Sequence, residues 1–277
     1  MTACRLCGHA STSALFEKSG VRYDRCRQCG FRFAAAASNP NLDNQFDDFE
    51  PAYRQYLDPS PVDAANHDAA IQWIESFVPL DEHIALLDIG AGSGKFLRHV
   101  RSARPCRTAG VEPSKALFDA YDLGQLGVVN TTLPVFSAAG CGAFDVITVS
   151  DVIEHVDDPM GFAHALYEVA APGAHVFLST PDAGSVLASA LGRFWHHYNP
   201  YHFSLFDRST MRRLAGAAGF VTVAFAHRGK RITAAYLRQY VRDFFIRQPG
   251  TSDATATGWV LPLNTFDVMS LVWKKPA

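Results

Sequence analysis

The 277-residue chain contains no run of about 18 consecutive apolar residues, so nothing in it reads as a membrane-spanning helix. Cysteines and polar side chains occupy the N-terminus where a secretory signal would need an apolar core, and a cytoplasmic location is the expectation. Blocks of like charge are missing too. Lysine and arginine number 25 against 27 acidic residues, and the small arginine clusters (Arg98, Arg101, Arg104, Arg107; Arg212, Arg213) do not build a basic stripe. A nucleic-acid partner is therefore not expected. No low-complexity tract occurs, and 48% hydrophobic with 19% charged residues excludes a disordered or fibrous chain. The length suits one α/β core plus a small accessory module.

Cysteine is sparse but ordered. Four of the six fall in two pairs, Cys4-Arg-Leu-Cys7-Gly8 and Cys26-Arg-Gln-Cys29-Gly30, separated by eighteen residues; Cys106 and Cys141 stand alone. In a reducing compartment such pairs point to metal rather than disulfides. A thiolate pair on a tight turn supplies two corners of a tetrahedron, and a second pair closes the shell with no open position, which predicts a structural Zn2+ on Cys4, Cys7, Cys26 and Cys29. A segment this short buries too little surface to fold alone, so the metal substitutes for a core in a zinc ribbon over residues 1–37.

Residues 38–80 read as an irregular linker bearing Tyr53 and Tyr56, then a helix over about 64–77, where Ile71, Ile74 and Phe77 recur at helical spacing before Pro79. From 81 onward strand and helix signals alternate, which predicts an α/β fold with a parallel sheet covered on both faces. Strands are expected at 84–89, 106–111, 127–130, 144–149, 174–180, 220–226 and 265–274. Helices are expected near 94–103, 114–122, 158–170, 208–218 and 232–247. Asp158 can cap the third of these helices with Pro159 in its first turn, and Pro172-Gly173 should turn the chain into the next strand.

The first of these strands runs into Asp88-Ile-Gly90-Ala91-Gly92-Ser-Gly94, ahead of a helix opening at Lys95, and the next ends at Val111-Glu112. Glycines let a backbone turn sharply and approach a ligand closely, while a carboxylate about 20 residues on can accept both hydrogen bonds of a ribose diol. This is an adenosine site. A dinucleotide fingerprint would put its third glycine where Lys95 stands, with the helix start facing a pyrophosphate. S-adenosylmethionine carries no phosphate, and Asp88, unhelpful to a pyrophosphate, is compatible with a cationic ligand.

Together with Phe144-Asp145-Val-Ile, Ser150-Asp151-Val-Ile-Glu154-His155-Val, Ala171-Pro-Gly-Ala-His-Val-Phe-Leu-Ser-Thr-Pro181 and the closing Phe266-Asp-Val-Met-Ser-Leu-Val-Trp-Lys, these residues resemble the class I Rossmann-like methyltransferases from about Leu80 onward. The resemblance implies a doubly wound, seven-stranded sheet with its last strand antiparallel, in a catalytic domain over 81–277. It implies that Gly90, Ala91 and Gly92 line the methionine and ribose, that Glu112 binds the ribose, that Thr132 and Leu133 flank the adenine, and that Ser150 faces the methionine amino group. With the ribbon in front, the chain is similar to the ribbon-bearing methyltransferases of bacterial sugar and natural-product pathways. The expected acceptor is accordingly a small molecule, methylated on a hydroxyl or amine of a sugar, a nucleotide sugar or a related metabolite. Quinone-pathway O-methyltransferases share the Asp151-x-x-Glu154-His155 run without the ribbon, which ranks a quinone lower.

In open α/β sheets the ligand lies beyond the carboxyl ends of the strands, so the loops after strands four and five should frame the acceptor. The second of these, Asp182 to Phe206, is long for a compact domain and carries Trp195-His-His-Tyr-Asn-Pro-Tyr-His202-Phe. An acceptor that loses a proton needs a base within reach; His202 is the first candidate and His155 the second, whereas His196 and His197 read as packing. A helix bearing Tyr236, Leu237, Tyr240, Val241, Phe244 and Phe245 opposite Arg238, Arg242 and Arg247 is expected to pack as a lid or homodimer contact rather than to lie on a membrane. Two other functions compete: an RNA-modifying methyltransferase gripping its substrate with the ribbon, and a regulatory protein that binds the cofactor without turnover.

Overall fold

The computed structural model describes residues 3–35, 60–234, 237–238 and 259–277. Tyr53, Tyr56 and most of the expected helix at 232–247 lie outside them. Within that helix's expected span, the described residues Ala234, Leu237 and Arg238 are helical, whereas Ile232 and Thr233 belong to a strand, β11 (Lys230–Thr233), paired with β12 (Val260–Leu263). The two strands were not foreseen because each is only four residues long. Periodicity needs longer windows.

The N-terminal segment forms an antiparallel meander, β1 (Thr12–Lys18), β2 (Val21–Cys26) and β3 (Arg32–Ala34). Each cysteine pair sits on a turn closed by its glycine, with Gly8 N–H donating to Cys4 O at 2.8 Å and Gly30 N–H to Cys26 O at 3.0 Å. The meander gains a fourth strand from far along the chain, β9 (Ser204–Leu205), which pairs antiparallel with β3.

The main sheet has seven strands in the order β10 (Val221–Ala226), β13 (Val268–Lys274), β8 (Ala170–Pro181), β7 (Phe144–Ser150), β4 (Ala85–Ile89), β5 (Arg107–Val111) and β6 (Val128–Val129). Strand β13 runs antiparallel to both neighbours, and the pairs from β6 through β8 are parallel. The α/β class and the antiparallel seventh strand are as the sequence predicts. Pro172-Gly173 behaves differently from the expected turn. Strand β8 begins earlier, at Ala170, and absorbs the dipeptide as an irregularity, with Phe144 opposite Ala170 but Val146 opposite His175.

The α-helices lying wholly within the described residues are α1 (Asp63–Glu75), α2 (Lys95–Ala103), α3 (Lys115–Ala120), α4 (Leu133–Ala138), α5 (Pro159–Val169), α6 (Val186–Leu191) and α7 (Arg208–Ala217). Alternation along the central strands divides the core. Leu86, Val146 and Phe177 face Ile71 and Ile74 of α1 and Leu97 and Val100 of α2, while Leu87, Ile147 and Leu178 face α5 and α7. Helix α5 begins as expected, the Asp158 carboxylate accepting from Gly161 N–H at 3.0 Å with Pro159 in the first turn. No helix among the described residues is long and apolar enough to cross a membrane.

The chain leaves β4 toward β5 and β6 on one side, then returns to β7 and β8 on the other. That reversal opens a crevice beyond the carboxyl ends of β4 and β7, the place where such sheets hold ligands. Helix α1 roofs it.

Candidate active site

A cavity of about 480 Å³ fills the crevice, with Asp88, Gly90 and Gly92 on one wall and α1 and the segment after β10 on others. The loop is tied back to β5. Gly90 and Ala91 N–H donate to Val111 O at 2.8 and 3.1 Å, and Gly92 N–H donates to Glu112 Oε2 at 2.8 Å. The other carboxylate oxygen, Oε1, accepts from Ser114 N–H at 2.9 Å, while Ser114 caps α3. Glu112 is buried, and burial raises its carboxyl above the ordinary range against the lowering effect of these two N–H groups. Glu112 is not itself among the residues of the cavity wall and meets it through Gly92; each of its oxygens accepts one backbone N–H and has capacity for a further donor.

Two glycines in the loop are required for different reasons. Gly90 has φ +72° and a β-carbon there would meet Val152 Cγ2 at 2.5 Å, so the loop could not close on β7 with any other residue. Gly92 has φ +57° and nothing within 4 Å of an added β-carbon, so a side chain there would project into open space beside the cavity wall. That position is a cradle.

Asp88 lines the same cavity. Thr148 Oγ1 donates to its Oδ1 at 2.6 Å, but desolvation outweighs this, and with the charge of Glu112 nearby the carboxyl is pushed up to about 7. The folded-state pKa thus lies above the value of about 3.9 for a free aspartate. Asp88 therefore adds stability that is full below about pH 4 and is lost as the pH rises toward 7. We expect Asp88→Asn to raise the melting temperature relative to the parent at pH 8 and to give no such gain at pH 4. Thermal unfolding at the two pH values checks it; an equal shift at both would remove the linkage.

The other expected donor-site residues are distributed unevenly. Ser150, exposed at the end of β7, lines the cavity. Thr132 is exposed at the head of α4 and Leu133 is buried among core residues; neither is on the described cavity wall. Asn130, which sequence reasoning missed, instead braces the end of β5, its Nδ2 donating to Glu112 O at 2.9 Å and Pro113 O at 3.1 Å. Ser114 was legible as a helix cap two residues beyond Glu112; Thr148 had no signal, because it depends on the β4–β7 register.

After β7 the backbone is strained at Asp151, φ +55°. Its N–H donates to Ser179 O at 3.0 Å, and its carboxylate accepts from Ser179 Oγ and Lys230 Nζ, each at 3.3 Å. The next turn locks against the Asp182–Phe206 excursion. Phe203 N–H donates to Glu154 O at 2.8 Å and Ser204 Oγ to Val156 O at 3.0 Å. This brings His155 and His202 together with ring centroids 4.8 Å apart, beside the buried Glu154. Glu154 Oε2 accepts from Thr180 Oγ1 at 2.9 Å, and burial, helped by the charge of Asp151, pushes its carboxyl up to about 8. His155 Nδ1 lies 2.9 Å from Tyr201 O, and His202 Nδ1 lies 2.9 Å from His197 O. A carbonyl only accepts, so Nδ1 carries the proton in both rings and Nε2 is left with a free lone pair. Burial lowers both pKa values, that of His202 well below the ordinary range with His155 adding to it, so both are neutral at pH 7. The histidine pair is not itself part of the described cavity wall, which Asp151 and Lys230 line. His67, on the wall, was missed by sequence because nothing distinguishes it within α1.

The excursion is held from the other side by the ribbon. Beyond the β3–β9 pairing, Ala34 N–H donates to Phe203 O at 3.0 Å, Tyr23 Oη to Asn199 O at 2.6 Å and Lys18 Nζ to Trp195 O at 2.9 Å. Tyr23, Trp195 and Tyr198 close a buried cluster between them. The four thiols converge within the ribbon, with Cys4 Sγ to Cys29 Sγ and Cys7 Sγ to Cys26 Sγ both 3.6 Å. A tetrahedral zinc with Zn–S of about 2.3 Å requires sulfur pairs about 3.8 Å apart. The thiols fit that ion.

A methyltransferase-domain family matches residues 63–224, more than half of the chain. The chain belongs to that family. This methyltransferase is similar to a ubiquinone biosynthesis O-methyltransferase of Azotobacter vinelandii, 33% identical over 116 residues that cover 40% of this chain and 49% of the relative. It is similar also to the enzyme of the same name from Cronobacter sakazakii, 34% identical over 39% of this chain and 47% of the relative. The methyltransferase thus spans about half the length of the curated relatives it matches. Among solved structures, a SAM-dependent methyltransferase from Archaeoglobus fulgidus superposes with a TM-score of 0.53 at 14% identity, over 83% of this chain and 99% of that one. The magnesium protoporphyrin IX methyltransferase of Synechocystis PCC 6803 gives 0.53 at 12% identity, over 84% and 97%. At such identities the likeness is one of fold.

Proposed function

We propose that the chain transfers the methyl group of S-adenosylmethionine to a hydroxyl of a small-molecule acceptor. The observation that carries this reading is the tie of the buried Glu112 to Gly92 N–H, Gly92 being on the wall of the cavity. In it, Glu112 accepts the two ribose hydroxyls, Gly90, Ala91 and Gly92 provide close-approach backbone, Ser150 meets the methionine amino group, and Asp88 favours a cationic donor. Thr132 and Leu133 flank the adenine in the family's arrangement, a role the reading keeps for them although neither is on the described cavity wall. When bound, the sulfonium supplies a methyl group already activated for in-line displacement, so the protein's task is alignment and, for a hydroxyl, removal of a proton.

The acceptor reading draws on the O-methyltransferase relatives, which act on a small molecule by name, and on the braced excursion after β8. Within it His202 is the base and His155 its neighbour, each presenting a neutral Nε2. A sugar, nucleotide sugar or related metabolite remains the proposed class, and the ribbon, residues 1–37 with a structural zinc on Cys4, Cys7, Cys26 and Cys29, is its scaffold rather than a nucleic-acid grip.

His202→Gln is expected to lower turnover by about 100-fold, the lower end of general-base effects, while S-adenosylhomocysteine affinity stays within about 2-fold. Because burial holds the His202 pKa well below the ordinary value, the parent's rate should stay level through neutral pH and fall only at pH values well below the ordinary histidine range, where the ring gains a proton. Steady-state rates from pH 5 to 8 with calorimetry on both proteins check this. Unchanged turnover in the variant would remove His202 as the base.

A further inference from the structure

One part-buried arginine on the cavity wall has no counter-charge among the described residues. Arg228, in the turn between β10 and β11, lines the cavity, and its guanidinium lies over the Trp73 ring at 5.0 Å from the centroid. A guanidinium offers five N–H donors, and here one, Nη2, is spent on the backbone carbonyl of Ala69. No carboxylate among the described residues lies within ion-pair distance of it. Of the other cations on this wall, Lys95 Nζ lies 2.9 Å from Asp63 Oδ2 and Lys230 Nζ 3.3 Å from Asp151 Oδ2, while Arg231, exposed to solvent, donates Nη1 to Ala65 O at 3.2 Å.

Leaving a part-buried arginine unpaired is costly, since an arginine cannot shed its proton to escape desolvation. Burial indeed lowers the Arg228 pKa from its usual value. The stacking on Trp73 offsets only part of that cost. The turn that carries the residue is also held rigidly. Asn66 of α1 brackets Arg231, its Oδ1 accepting from Arg231 N–H at 2.7 Å and its Nδ2 donating to Arg231 O at 2.9 Å. Asn264 Nδ2 donates to His227 O at 2.9 Å, and His227 Nε2 lies 2.8 Å from Asp182 Oδ2. An unpaired, aromatic-backed arginine on a fixed turn, in the cavity that reaches the glycine loop, is built for an anionic ligand atom.

We propose that Arg228, stacked on Trp73, binds an anionic group of the methyl acceptor, a phosphate or a carboxylate. This rests on the reading of the same cavity as a methyl-transfer site. A donor carrying a sulfonium brings positive charge into the cavity, and an acceptor with a negative group restores balance there. The planar fork of the arginine matches either oxyanion with two parallel hydrogen bonds.

The test titrates inorganic pyrophosphate, and separately malonate, into the full chain saturated with S-adenosylhomocysteine, which fills the donor end. Saturable binding of at least one anion in the millimolar range is expected, the tighter of the two naming the group. Arg228→Met should weaken that binding about 10-fold or more and leave S-adenosylhomocysteine affinity within about 2-fold. Arg228→Lys, which keeps charge and packing but loses the fork, should weaken it about 3-fold and serves if the methionine variant does not fold. Three results would overturn the proposal: no saturable binding of either anion, binding indifferent to both variants, or loss of S-adenosylhomocysteine affinity in the variants, which would give the arginine to the donor's own carboxylate. If S-adenosylhomocysteine fails to bind the parent, the methyl-transfer reading falls, and the same anion titrations without it still decide Arg228.

Discussion

Glu112→Ala is expected to weaken S-adenosylhomocysteine binding by about 10- to 100-fold, since hydrogen bonds to a charged group are worth about 1.5–3 kcal/mol. Two losses combine. The ribose hydroxyls lose their acceptor, and Gly92 N–H loses the bond that holds the glycine loop against β5. Ser114 N–H is orphaned at the same time, so some loss of stability accompanies the change. Glu112→Gln separates these effects. It keeps the side chain's shape and one acceptor oxygen, and should fall between the parent and the alanine variant. Calorimetry with S-adenosylhomocysteine, alongside melting temperatures, checks the series. An alanine variant that binds as tightly as the parent would contradict the ribose assignment.

With the zinc proposed on the four thiols, Cys26→Ser is expected to lose that metal and, with it, most of the turnover. A structural zinc contributes about 10–16 kcal/mol of apparent binding free energy to small ribbons, far more than the short meander β1–β3 could replace. The meander is not an isolated ornament. Its edge strand β3 pairs with β9, and Ala34 bonds directly to Phe203, the residue after His202. Phe31 and Phe33 are fully buried, with Phe31 packed on Phe206 at a centroid distance of 5.0 Å. Melting the ribbon therefore frees the Asp182–Phe206 excursion and the His155–His202 pairing. The glycine loop and Glu112 are anchored to β4 and β5 and do not depend on it. The expected outcome is loss of about one zinc per chain, a drop in turnover of about 100-fold or more, and S-adenosylhomocysteine affinity within about 3-fold of the parent. Metal analysis, rates and calorimetry on one preparation check it. Full turnover with the zinc gone would show that the ribbon does not hold the loop.

The sheet was readable because its strands announce themselves. Ala85–Ile89, Phe144–Ser150 and Val268–Lys274 are apolar runs bounded by turn residues, and the resemblance to a known family placed the last one antiparallel. The glycine loop and Glu112 were readable for a local reason, the spacing between two strand ends. What escaped depends on residues distant in sequence. Strand β9, two residues long, exists only because β3 is beside it, and no pattern in Ser204–Leu205 could have announced it. Thr148 matters because the parallel register sets it against Asp88. Nothing in the sequence sets Arg228 apart; the fold places it over Trp73 with no carboxylate among the described residues within ion-pair distance. The histidines show both sides of this. Sequence singled out His155 and His202 separately, from chemistry alone, whereas their pairing and their common tautomer follow from how the Asp182–Phe206 excursion packs on the loop after β7.

The most direct test of the methyl-donor site is a crystal structure of the full chain grown with S-adenosylhomocysteine. Both ribose hydroxyls are expected within about 3 Å of the Glu112 carboxylate, and the homocysteine portion against the Gly90–Gly92 backbone with its amino group toward Ser150. Density for the ligand elsewhere, or a ribose with no contact to Glu112, would contradict it.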